Sequence, residues 1–330
     1  MPNLTKKDQA IELARQNPEL SRKALVDVFV EQIHGISPSG AATYATMARK
    51  ELGALERSRA KTNAYQAAKA QETDAQIEER LGTRFRVIED LSGAACRGQV
   101  LSLIVAGAAG VGKSFVVEQA IKAYDPDETK STVVRGMVRP TGLYLLLHEY
   151  RHKGNVIVLD DADSIFGDMD SLNLLKAALD TTQKRYISWR AETKMLDADG
   201  EPVERTFEFN GTIIFITNKD FDDEIARGGK MAEHYAALIS RSFYVDCDMH
   251  TDREYLVRIK QVVLGAGMLR TKGLDHLGEA IVLKFIENHA GDLRELSLRI
   301  ALKLADLYKL APSSLYETAK VALFKRKHHH

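Results

Sequence analysis

Apolar positions along the chain keep two rhythms, and the places where one gives way to the other mark how the protein is organised. Up to about residue 55 they recur every three to four residues in short runs, the mark of amphipathic helices. Thr5 can cap a first helix running from about Lys6 to the Asn17-Pro18 stop. Ser21 opens a second, with Leu25, Val28, Phe29 and Ile33 on one stripe and Gly35 as a left-handed end. In the third, Ser37 is the cap and Pro38 takes the first helical position. Ala41, Tyr44, Ala45, Ala48 and Leu52 then line one face before Gly53. The tight turn Gly35-Ile36-Ser37 between the last two gives residues 1–55 the outline of a three-helix bundle containing a helix-turn-helix. Residues 56–80, rich in Ala, Gln, Lys, Arg and Glu, read as a charged helical linker.

From Leu81 onward the rhythm changes to short continuous apolar runs, VLSLIVAG, STVVRG, NVIVLDD and GTIIFITN, separated by helical stretches. Strands apolar on both sides, alternating with helices, predict an α/β fold in which a parallel sheet is covered on both faces. This sandwich is expected over 81–247. From 248 to 327 the pattern is helical throughout, as in DLRELSLRIALKLADLYKL, and predicts a small helical domain. His328, His329 and His330 read as the remnant of a purification tag.

Composition changes this picture little. The chain has 330 residues, 45% hydrophobic and 28% charged, which suits a globular protein of more than one domain. Lysines and arginines number 46 and acidic residues 46, so no global field draws the protein to nucleic acid or lipid, and any such attraction is local. Such a local patch is present. From Thr43 to Lys69 the basic residues Arg49, Lys50, Arg57, Arg59, Lys61 and Lys69 face only Glu51 and Glu56. Two distant cysteines, Cys96 and Cys247, suggest neither a disulfide framework nor a zinc site. With no signal-like apolar stretch in MPNLTKKDQ, the expectation is a cytoplasmic protein without a membrane partner.

Candidate chemistry begins at GAAGVGKSF, where Gly107, Gly110, Val111, Gly112, Lys113, Ser114 and Phe115 follow an apolar strand and open a helix. The spacing is that of the phosphate-binding loop. Glycines let backbone N–H groups approach phosphate oxygens, the helix N-terminus adds its dipole, Lys113 reaches the outer phosphates, and the Ser114 hydroxyl can bind Mg²⁺. VIVLDD then ends a strand with two carboxylates. Asp160 is expected on the metal side, with Asp161 placed to orient or deprotonate a water.

In this order the motifs resemble those of the AAA+ ATPases, over roughly residues 81–310. The resemblance implies a P-loop αβα core with a C-terminal helical lid, ATP and Mg²⁺ as ligands, and hydrolysis of ATP. It also implies Asn218 at the tip of the next strand as first sensor, Arg241 in ALISRSF as an arginine finger, and Arg294 in GDLR as second sensor. A finger that completes a neighbour's site implies a homo-oligomeric ring, a hexamer or similar. Where most of the family has Asp-Glu, this chain has Asp-Asp, and the shorter Asp161 alters the reach to water. A further departure lies before the Asn218 strand, where ISW and TFEF flank the turn-forming DADGEP and predict an inserted β-hairpin. Arg185, Trp189, Arg190 and Lys194 at this hairpin suit a phosphate backbone. The layout with its helical head also resembles ATPases encoded by bacteriophages, and if phage-encoded the protein is expected in a bacterial host's cytoplasm.

These features predict a Mg-ATP-dependent ring ATPase acting on DNA or on a replication or recombination complex. A remodeller of protein clients recruited by the N-terminal bundle, or a slowly turning nucleotide-gated scaffold, are the alternatives. The loop GMVRP, Gly136–Pro140, and the hairpin are candidate channel elements, although the loop lacks an aromatic residue. One motif competes. HEYRH, His148–His152, satisfies H-E-x-x-H and is expected on the helix LYLLLHEYRHK, with both histidines on one face and Glu149 as potential base. Its place inside the ATPase core and the lack of a third ligand make two core-helix histidines the simpler expectation.

Overall fold

The computed structural model describes residues 5–17, 20–50, 72–190, 195–196 and 200–326. The linker positions Arg57, Arg59, Lys61 and Lys69, the hairpin residue Lys194 and the tag positions 328–330 lie outside these residues. The chain divides into two compact units, 1–72 and 73–330.

The first unit contains helices α1 (Lys6–Gln16), α2 (Arg22–Gln32) and α3 (38–50). Their ends follow local chemistry. Thr5 and Asp8 form a reciprocal capping box on α1, the Ser21 side chain accepts from Ala24 N–H, and the Ser37 hydroxyl accepts from Gly40 N–H at 3.1 Å. Ala10, Ala14, Leu25, Phe29, Ile33, Ala41, Ala45 and Ala48 make the core of this unit, and its five alanines let the helices approach closely.

The second unit opens with α4 (Asp74–Cys96) and β1 (Ser102–Ala106), then α5 (Lys113–Tyr124), β2 (Ser131–Arg135), α6 (Pro140–Glu149) and β3 (Val156–Asp160). Next come α7 (Met169–Ala178), β4 (Tyr186–Ser188), β5 (Thr206–Glu208), β6 (Thr212–Thr217), α8 (Phe221–Arg227), α9 (Ala232–Ile239) and β7 (Phe243–Asp246). Five strands form a parallel sheet in the order β2-β3-β6-β1-β7. Successive residues of each central strand serve opposite faces. Val156 and Val158 of β3 join Leu103, Val105, Ile214 and Ile216 against α4 and α5. Ile157 and Leu159 join Ile104, Ile213 and Phe215 against α6, α7 and α9. Both faces being buried is why the runs are continuously apolar. The expected α/β sandwich with a parallel sheet is therefore the fold.

The remaining helices are α10 (Asp252–Lys260), continued by a π-helical turn at Gln261–Gly265, then α11 (His276–His289), α12 (Leu298–Leu310) and α13 (Leu315–Leu323). They enclose a core of their own around Val263, Val282, Ile286, Ile300 and Leu304. α10 serves two cores, since Val257 packs with the sheet and Ile259 with the C-terminal helices. Arg258 strengthens that tie. It is buried, its guanidinium lies 3.4 Å from the Phe85 ring centroid of α4, and Nε donates to Val111 O at 3.3 Å. Glu254 of the same helix accepts from Arg80 of α4 at 2.6 Å.

Two expectations need correcting. Residues 74–80, expected in the linker, are the first two turns of α4. Thr73 and Gln76 box its N-terminus, and Ile77 is buried against the sheet, so the spaced apolar residues Ile77, Leu81, Phe85 and Ile88 belong to one helix face. The predicted hairpin exists as the antiparallel pair β4–β5, yet two of its proposed phosphate contacts face inward. Arg185 is buried and donates to Ala178 O at 2.8 Å and Gly211 O at 3.1 Å, while the Trp189 ring lies 5.8 Å from that of Tyr144. Arg190 alone of the described three is exposed.

Candidate nucleotide site

β1, β3 and β6 are adjacent and parallel, so their C-terminal ends open on one edge of the sheet. The loop leaving β1 needs its glycines. Gly107, Gly110 and Gly112 have φ of 134°, 74° and 102°, a region that side chains disfavour. Space is short as well. A Cβ on Gly107 would stand 2.9 Å from the Cys247 carbonyl carbon, and one on Gly110 would stand 2.8 Å from Ser297 Cβ. Val111 is buried beneath the loop, and Phe115 stands 61% exposed on the first turn of α5.

Gly112 occupies the N-cap of α5 and offers no side-chain acceptor, in contrast to Thr73 on α4 and Thr251 on α10. The first N–H groups of α5 are thus left for an external anion, aided by the helix dipole. Lys113, 5% exposed, donates to Gly107 O at 2.5 Å, Ala108 O at 2.8 Å and Asn218 Oδ1 at 3.0 Å. Burial pushes its pKa down from the usual lysine value, opposed by the nearby Asp161, Asp248 and Asp160 carboxylates.

Asn218, just after β6, bridges two charges: its Nδ2 donates to Asp161 Oδ1 at 2.9 Å while its Oδ1 accepts from Lys113. Only one amide orientation can do this, because an ammonium only donates and a carboxylate only accepts. Asp161, with φ of 53°, is held in the left-handed region and its N–H donates to Ile216 O at 3.0 Å. Ser114 Oγ donates to Asp160 Oδ1 at 3.0 Å. A hydroxyl and a single carboxylate are hard oxygen donors of the kind Mg²⁺ uses when substrate phosphates complete its shell. Lys113, Ser114, Asp160, Asp161 and Asn218 are therefore brought together.

The two arginines are not. Arg294 lies in the segment before α12, where Nε donates to Phe324 O at 2.9 Å and its N–H to Leu323 O at 3.0 Å, beside a bridge pairing Leu293 with Phe324. Arg299 stands at the loop instead. It is exposed, in the first turn of α12 after the Ser297 cap, and its Cγ lies 3.6 Å from the Cβ position of Gly110. The Leu298 N–H donates to Gly110 O at 2.8 Å, so the N-termini of α5 and α12 converge. A cation in a helix's first turn, where that turn holds no acidic residue, is opposed by the dipole unless an anion is near. The cue for Arg299 in the sequence is Ser297 as a cap, which puts Arg299 rather than Arg294 inside the helix. Arg241 follows α9 and is tethered to Ala237 O at 2.9 Å.

HEYRH does not form a site. α6 ends at Glu149, so His148 and His152 fall on either side of the helix end, and the His148 ring packs edge-on to Phe207 at 5.0 Å. Among the described residues no group of three or more His, Cys, Asp or Glu is placed to hold a metal ion. Nor is any described helix long and apolar enough to cross a membrane.

No known family profile matches the chain. It is 39% identical over 246 residues, covering 73% of this chain and 75% of the relative, to the uncharacterized 36.7 kDa protein in the nrdC-mobD intergenic region of Enterobacteria phage T4. Among solved structures, a RuvB mutant from Thermotoga maritima aligns over 74% of this chain and 70% of its own, with 15% identity and a TM-score of 0.43. NtrX from Brucella abortus in complex with ATP aligns over 93% and 67%, with 13% identity and a TM-score of 0.39.

Proposed function

Since the chain belongs to one family with the phage T4 36.7 kDa protein, we propose that this family is one of AAA+ ATPases, working in oligomeric form in the bacterial cytoplasm on DNA or a DNA-bound complex. The observation that carries the ATPase reading is the meeting of Lys113, the Ser114–Asp160 pair and the Asn218–Asp161 pair at the uncapped N-terminus of α5.

In this reading the first-turn N–H groups of α5 and Lys113 hold the phosphates, with Arg299 approaching from α12. Lys113 exchanges its carbonyl partners for phosphate oxygens and stabilises the charge that grows there. Ser114 and Asp160 are the residues that would hold Mg²⁺, which when bound neutralises phosphate charge. Asp161 takes the proton of the attacking water, and Asn218 fixes the direction of its carboxylate. Arg241 lies on a different element, following α9, and serves a neighbouring copy's site in a ring. Mixing Arg241→Ala with Lys113→Ala subunits then restores part of the hydrolysis that each lacks alone, and absence of any rescue removes Arg241 from that role.

The DNA reading rests on the first unit. Arg49 and Lys50 are exposed on α3, and Arg22 of α2 reaches the same helix through Thr46 Oγ1 at 2.8 Å. That face presents cations to a phosphate backbone. A protein client is the second reading, favoured by Met137, 75% exposed in the loop after β2, and by the inward turn of Arg185. Phosphate release with and without DNA, and DNA affinity against salt for the wild type and the Arg22, Arg49 and Lys50 charge variant, separate the two. The DNA reading predicts stimulation by DNA and a shallower salt slope in the variant. Indifference to DNA in both assays hands the lead to the protein client.

A further inference from the structure

Both oxygens of Asp160 are engaged. Oδ1 accepts from Ser114, and Oδ2 accepts from Arg135 Nε at 3.1 Å. Arg135 is the last residue of β2 and the register partner of Asp160 across the β2–β3 pair, so the backbone itself sets the guanidinium beside the carboxylate. The far end of that guanidinium, Nη2, meets Glu118 of α5. Glu118 follows Ser114 by four residues and shares its helix face. One hydroxyl, two carboxylates and one guanidinium thus form a chain of contacts with both ends on α5. The partners differ in freedom: the Arg135 side chain is 57% exposed, the Asp160 side chain 6%. The cation can leave and the carboxylate cannot.

We propose that Arg135 is a displaceable internal counter-cation that closes the Asp160–Ser114 oxygens to a free divalent ion, so that the metal enters only together with nucleotide phosphates. The inference rests on the reading of Ser114 and Asp160 as the metal-side pair. Mg²⁺ gives up its water reluctantly and seldom settles on one carboxylate without substrate phosphates. With Arg135 in place the charge of Asp160 is already compensated, and the extra negative charge needed comes from the phosphates. Glu118 gives the released guanidinium a partner on the same helix face, so no charge is stranded. A purely structural salt bridge at an edge strand would alter stability without altering metal affinity.

The test uses Mn²⁺ as a paramagnetic probe on the nucleotide-free full-length protein, followed by electron paramagnetic resonance, with folding checked by circular dichroism. Arg135→Gln is expected to bind Mn²⁺ about tenfold more tightly than wild type, the scale of removing one unit charge at close range in a half-exposed site. Arg135→Lys should return towards wild type, and Asp160→Asn added to Arg135→Gln should erase the gain. Equal Mn²⁺ affinity in wild type and Arg135→Gln overturns the proposal, as does a gain that survives Asp160→Asn. Should Arg135→Gln not fold, Glu118→Gln carries the test. It leaves Arg135 wholly on Asp160 and should raise severalfold the Mg²⁺ needed to bind a fluorescent ATP analogue, and no rise overturns the idea. Analogue binding by the wild type is the separate control. Its absence rejects the nucleotide site itself, whereas its presence with unchanged metal affinity rejects only the role of Arg135.

Discussion

At Gly107–Ser114 the chain leaves a strand and enters a helix through three glycines with positive φ, whereas at His148–His152 it leaves a helix and enters a turn. Both stretches match a catalytic motif residue for residue. In the first, the strand before and the helix after put Lys113 and Ser114 at the edge where β3 and β6 also deliver Asp160, Asp161 and Asn218. In the second, the helix ends inside the motif and the Arg151 guanidinium bonds His148 O at 2.6 Å, so the stretch closes the C-terminus of α6. A motif of this kind acts through the backbone that presents it, and the side chains alone do not tell the two apart.

The contrast is sharpest at Lys113. Lys113→Ala should weaken nucleotide binding by about a hundredfold or more, the effect of losing charge-assisted hydrogen bonds to phosphate, while His148→Ala leaves it unchanged in the same titration calorimetry. Next in size is Asp161→Asn, expected to lower phosphate release by about a hundredfold at saturating ATP, with affinity held within about twofold. Equal loss of binding in both variants would take Asp161 out of the water-activating role. Arg299→Ala should weaken nucleotide binding by about fivefold to tenfold, in line with one exposed cation near phosphate. Arg294→Ala should leave binding alone and lower the melting temperature, since its guanidinium ties Phe324 to the segment before α12. The opposite order restores Arg294 as the nucleotide contact. Smallest of all, a zinc chelator with Mg²⁺ in excess should not change hydrolysis, and zinc-dependent peptide cleavage would break the comparison altogether.

Much of the fold is legible in the sequence, for identifiable reasons. The helices of the first unit begin where Thr5, Ser21 and Ser37 cap them, because capping is local chemistry. β1, β2, β3 and β6 declare themselves by apolar runs. The fifth strand, β7, does not: Phe243–Asp246 is a four-residue edge strand, nowhere fully buried, and it is recognisable only by its pairing with β1. The start of α4 is hidden by its charged outer face, which continues the composition of the preceding stretch. Arg185 is not legible, because a buried guanidinium satisfied by the Ala178 and Gly211 carbonyls looks, in sequence, like any surface cation. Arg294 and Arg299 are five residues apart, and which one reaches the loop depends on where α12 begins.

Arg258 has a mechanical consequence. Because its guanidinium is at once stacked on Phe85, bonded to Val111 O and bonded to Gln261 Oε1 at 2.7 Å, α10 cannot pivot without dragging both α4 and the phosphate loop. Burial lowers its pKa to about 10, so the side chain stays charged and the fastening holds throughout the neutral range. The joint of the C-terminal helices then falls past this fastening, at the wide turn Gln261–Gly265, where a π-helical backbone has already loosened the regular ladder and nothing lies within 4 Å of a Cβ on Gly265. α10 is thereby tied to α4 and the loop, and any movement of α11, α12 and α13 against the sheet is expected to hinge past it.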